Sequence, residues 1–151
     1  MTWNELENQR RIVREPTTKF EIDELRALAE RNLKDAALPL LSADGRFSMA
    51  YNAARTLANI AIRASGYRVK QTGGAHYNTF LALPLAMGSS FDTFADYFDG
   101  CRKSRNDLSY GAAYVVSNSD ATELLEKTIA FRAIVEKWLC DNYPALFLSD
   151  K

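Results

Sequence analysis

Arg102, Lys103 and Arg105 place three cations within four positions, and Asn106, Asp107 and Tyr110 follow at once. A guanidinium can grip a phosphate through two parallel N–H bonds. The Asn106 amide can orient such a phosphate or hold the arginine, and the Tyr110 phenol can donate a hydrogen bond or stack on a base. Arg105, Asn106 and Tyr110 are therefore the candidate catalytic or ligand-holding groups. Arg102, Arg105 and Arg68 are the candidate phosphate-binding cations. Arg102 and Arg105, three apart, share a helix face. Arg105 and Tyr110, five apart, are separated by about 500° of turn, so their directions differ by about 140° in an ideal helix. They converge only where the last turn unwinds or where a partner subunit completes the site. The run also fits a plainer role: cations in a last turn suit the helix dipole, and Gly111 just beyond is a common stop.

What the chain lacks narrows the chemistry. His76 is the single histidine, and it reads as a helix-start residue bonded to backbone. There is no HExxH and no paired-cysteine spacing, so no metal centre is expected. Neither a GxxxxGK[ST] loop nor a GxGxxG turn is present, so no cofactor is expected either. Formal net charge is zero, and any nucleic-acid binding must rest on a local patch rather than a global field. Apolar runs are too short for a membrane span. Residues 1–5 have neither the basic start nor the apolar core of a secretory signal. Cys101 and Cys140 read as reduced thiols, which points to a cytoplasmic protein.

The elements that must position these groups are helices. Hydrophobic residues at 47% and charged residues at 25% are ordinary for a globular chain of 151 residues. Phe20, Ile22, Leu25, Leu28, Ala29, Leu33 and Ala36 recur at helical spacing after Thr18 and Glu21, a capping-box pair. Residues 44–65 read as one long alanine-rich helix, apolar around most of its circumference and so central. Residues 67–74 read as a basic, glycine-bearing loop. A helix over 75–87 contains Pro84, where a kink or early stop is expected. Residues 91–110 form the helix that carries the arginines, and 111–117 read as loop. A last long helix follows a capping box at Asp120 and Glu123 and runs to about residue 142. Thr2 and Glu5 mark a short first helix or a loose arm over residues 1–18. The bundle proper spans 19–143, and 144–151 is a tail. The fold class is all-α, an antiparallel bundle of four to five principal helices.

Two segments together resemble the HEPN family of small helical bundles associated with nucleotides and RNA. Asp44 through Arg55, continuing to Ala64-Ser65-Gly66-Tyr67-Arg68-Val69, looks like the family's long alanine-rich helix ending in Gly-Tyr-Arg. Gly74-Ala75-His76 stands where relatives carry Gly-His-His. Arg102-Lys103-Ser104-Arg105-Asn106-Asp107-Leu108-Ser109-Tyr110 looks like the family's Arg-polar-x(3)-His motif, with Arg105 and Asn106 matching and Tyr110 in place of the histidine. The resemblance covers residues 20–140. It implies a homodimer whose motifs face each other across a shared cleft. In ribonuclease members it implies metal-independent RNA cleavage by the motif Arg and His. A phenol, ionising near ~10, is a poor substitute for an imidazole in proton transfer. Three classes stay open. The first is an RNA- or nucleotide-binding domain with weak or no catalysis, which is favoured. The second is a ribonuclease toxin with a nucleotidyltransferase-type antitoxin as partner. The third is a structural dimerisation module without ligand.

Overall fold

A computed structural model describes residues 1–109 and 116–148. Tyr110, and most of the loop expected over 111–117, lie outside the described residues. Within them the chain is an all-α helical bundle with one small sheet. The elements in order are α1 (Trp3–Asn8), β1 (Ile12–Arg14), α2 (Lys19–Ala36), α3 (Ala43–Ala64), β2 (Tyr67–Val69), α4 (Ala75–Met87), α5 (Asp92–Ser109), α6 (Asn118–Asn142) and α7 (Pro144–Phe147). A single 3-10 turn, Ser89–Phe91, joins α4 to α5.

The alanine-rich helix is the axis. α2, α4, α5 and α6 all pack on α3. Ala50, Ala53, Ala54, Ala58 and Ala61 are fully buried, and their small side chains let those neighbours approach closely. Beside them Phe80, Phe98 and Phe131 interlock, with Phe98 and Phe131 centroids 5.1 Å apart. Aromatic edges and faces at this range add to the area they bury. Phe94 joins the cluster at 5.2 Å from Phe131, so these rings of α5 serve the core.

Local signals set most helix ends. Thr18 caps α2 by accepting from the Glu21 N–H at 3.1 Å, and Ser42 caps α3 by accepting from the Gly45 N–H at 3.0 Å. The expected box at Asp120 lies one turn earlier. Ser117 is the cap, and Ser117 and Asp120 exchange side-chain bonds with each other's backbone N–H. α4 runs through Pro84 to Met87, where Gly88 at φ 109° stops it. Phe80, Leu83 and Met87 are buried on both sides of the proline and hold the two halves to the core.

The first residues depart from the expected short helix or loose arm. β1 pairs antiparallel with β2 in the register Ile12↔Val69, Val13↔Arg68 and Arg14↔Tyr67. Leu6, Ile12, Ile62, Val69 and Ala82 form a second, smaller core beneath this pair. Trp3 stacks on Tyr67 with centroids 4.1 Å apart and planes 7° apart. Residues 67–69 are therefore strand rather than loop. Gly66, at φ 93°, makes the left-handed turn that brings β2 back from the end of α3. At the other end, Pro144–Phe147 is a helical turn that packs on α2 and α6, where a tail was expected.

Candidate functional site

Three helices bring the site together. α3 supplies Tyr51 and Arg55, one turn apart. The start of α4 supplies His76 and Tyr77. The second half of α5 supplies Asp99, Arg102, Arg105 and Asn106. Tyr51 is fully buried, and its hydroxyl lies 3.0 Å from His76 Nδ1. No other bond of that hydroxyl is present among the described residues. A buried O–H needs an acceptor, so the hydroxyl donates to Nδ1 and the ring proton of neutral His76 sits on Nε2.

Arginines surround this pair. The Arg105 guanidinium lies over the Tyr51 ring, 5.4 Å from its centroid. The Arg102 guanidinium lies 5.5 Å from the centroid of Tyr77. Arg102 Nε donates to Asp99 Oδ1 at 2.6 Å, while its two Nη groups have no hydrogen-bond acceptor among the described residues. Arg55 Nε is buried with no acceptor among the described residues. Burial pushes the Tyr51 phenol up to about 12, against the pull of Arg55, Arg105 and Arg102. Burial, reinforced by the same three arginines, holds the His76 imidazole down at about 4. Burial also lowers the pKa of Arg55. Near neutral pH the group is thus a neutral imidazole and a protonated phenol inside a ring of cations.

The open part is a hollow of about 350 Å³ walled by Thr72, Gly74, His76, Tyr77, Arg102 and Asn106, among others, with no carboxylate in its lining. Gly74, at φ 84°, turns the chain into α4, and no side chain caps that helix. An uncapped helix start offers backbone N–H groups and the positive end of the dipole to an anion. The hollow can therefore receive an anion with donors from three sources: an arginine fork, a neutral imidazole N–H and a helix start.

The structure sorts the predicted residues unevenly. Arg102 and Asn106 line the hollow. Arg105 does not; it stands over Tyr51. Tyr110 lies outside the described residues. Arg68 belongs to a different group, paired with Glu15 and, at 2.6 Å, with Glu21 Oε2. His76 is bonded to a side chain, not to backbone as its helix-start position suggested. Tyr51 and Arg55 were not among the candidates. Their signal is modest but readable: a phenol and a cation four apart, on one face of a helix otherwise made of alanines. Cys101 is a buried apolar filler whose thiol is pushed up to about 11, mainly by burial, and both cysteines are free. Among the described residues no cluster of His, Cys, Asp or Glu is placed to hold a metal ion, and no helix is long and apolar enough to cross a membrane. No protein-family model, no curated protein and no solved structure matches the chain.

Proposed function

We propose that the chain binds the phosphate of RNA or of a nucleotide in the hollow at the start of α4, and that it cleaves weakly or not at all. Arg102, Asn106, His76 Nε2–H and the first N–H groups of α4 hold the phosphate. Arg105 and Arg55 add positive field from behind. The Tyr51–His76 hydrogen bond carries this reading, because it fixes the imidazole as a donor. A general base would need a lone pair on the ring nitrogen facing the hollow. With Nδ1 occupied by Tyr51 and the proton on Nε2, the site offers donors and no acceptor imidazole. That suits gripping an anion and not withdrawing a proton from a ribose hydroxyl. The HEPN resemblance supports the same ligand class, and the tyrosine in place of the motif histidine supports binding over cleavage.

The single histidine makes the test direct, since its imidazole resonance needs no assignment against others. Adenosine 5′-monophosphate is titrated into the protein while that resonance is followed across pH. A bound phosphate stabilises imidazolium, so the midpoint should rise from about 4. Arg102→Ala should weaken binding about tenfold or more, the usual effect of losing a charge-assisted bond. A resonance that ignores the nucleotide at millimolar concentration would leave a structural module. Cleavage of RNA that disappears in His76→Ala would replace binding with catalysis.

A further inference from the structure

A second hollow, of about 390 Å³, adjoins the first. Arg10, Arg11, Thr72, Gly73, Gly74 and Tyr77 are on its wall. It shares Thr72, Gly74 and Tyr77 with the hollow of Arg102 and His76, so the two meet along the loop before α4 and at one aromatic ring. Neither lining contains a carboxylate. The hollow at Arg63 and Arg68 differs, since Glu21 is on its wall.

The arginines of the second hollow are delivered by the N-terminal arm. Arg10 is exposed and sits in the turn between α1 and β1 with φ 60°, a conformation uncommon outside glycine and asparagine. No hydrogen bond or ion pair of its side chain is present among the described residues. Arg11 is steadied by a bond from its Nη1 to Asn78 Oδ1 at 3.1 Å, and Asn78 is buried near the start of α4. The Lys70 N–H donates to the Arg11 carbonyl at 3.0 Å and extends the strand pairing up to the hollow. At the junction Tyr77 is 41% exposed, although Arg102 already lies near its ring.

Resting on the phosphate reading of the first hollow, we infer that the ligand is a single-stranded polynucleotide that crosses Tyr77. One phosphate lies at Arg102 and His76, and a neighbouring phosphate lies at Arg10 and Arg11. A base stacks on the exposed Tyr77 ring between them. Two carboxylate-free basic hollows fit a polyanion with successive charges, and the aromatic at their junction favours a ligand with flat rings between charges. An acidic peptide meets the first condition but not the second.

The experiment is fluorescence anisotropy of a labelled ten-residue oligouridylate on the full chain at several salt concentrations. Uridine 5′-monophosphate, too short to reach both hollows, is the reference. The decamer should bind at least about tenfold more tightly than the mononucleotide. Arg10→Asn, which suits the left-handed turn, should lower the ratio of decamer to mononucleotide affinity severalfold. It should also reduce the salt slope by about one. Tyr77→Ala should lower decamer affinity about tenfold, and Tyr77→Phe should restore it. Equal affinity for decamer and mononucleotide overturns the inference while leaving the single phosphate site standing. So does an unchanged salt slope in Arg10→Asn. Oligoglutamate of equal charge competing as well as the decamer would assign the track to acidic peptides instead. Loss of mononucleotide binding altogether would instead overturn the first site.

Discussion

Two groups of arginines lie on opposite terms with their surroundings. Arg63, 4% exposed, donates to Glu21 Oε1 at 2.8 Å, to the Glu15 and Tyr67 carbonyls at 2.8 and 2.9 Å, and to the Pro16 carbonyl at 3.0 Å. Arg68 adds its pairs with Glu15 and Glu21. Here two cations meet two carboxylates, and the fully bonded guanidinium fastens the chain after β1 to the end of α3. The other group holds Arg55, Arg102 and Arg105 around Tyr51 and His76, and Asp99 is the carboxylate paired with Arg102. With the whole chain at zero net charge, that excess is local. An arginine ringed by acceptors is a fastener. Arginines crowded against a buried phenol and a neutral imidazole raise the local potential, which an arriving anion would relieve.

Breaking the fastener should cost most. Arg63→Met strands the Glu21 carboxylate and three backbone carbonyls, and should lower unfolding free energy by about 3–5 kcal/mol in urea denaturation. A loss under about 1 kcal/mol would show that the two groups are energetically alike. Acid should loosen the same region next. Burial alone would raise the Glu21 carboxyl, but hydrogen bonds from Thr17, Arg68 and Arg63 hold it at about 2, below the ordinary 4.5. A depressed acid contributes stability that is complete above 4.5 and lost as pH falls toward 2. Urea midpoints measured from pH 6 downward should therefore drop through that window, and Glu21→Gln should make the drop shallower. The smallest effect sharpens the contrast most. Arg55→Met removes a buried Nε that has no acceptor, so stability should hold or rise by up to about 1 kcal/mol while nucleotide affinity falls. A large stability loss there would make Arg55 a fastener too.

The principal helices were legible because their signals are local: apolar spacing of three and four, and caps at Thr18 and within a turn of Asp120. The anion-facing residues Arg102 and Asn106 were legible for the same reason, being neighbours on one helix. The strands were not. Ile12-Val13-Arg14 is three residues long among charges, and its partner Tyr67–Val69 is remote in sequence, so no periodicity announces the pair. Glu21 was read as half of a capping box, a short-range habit, but two arginines from distant elements draw its carboxylate away. His76 looked solitary because Tyr51, its partner, lies a helix away. In each case packing of remote segments decided what proximity in the chain could not.

The docking of the arm bears on how the chain can be trimmed or fused. A version starting after Pro16 would bare Ile62, Val69 and Ala82 to water and leave the backbone of Tyr67–Val69 without the strand it bonds. A naked edge of that sort invites pairing with a neighbouring chain. Shortening the front end would thus yield a sticky protein, and Trp3, lifted from Tyr67, would be the first chromophore to register an arm coming undone.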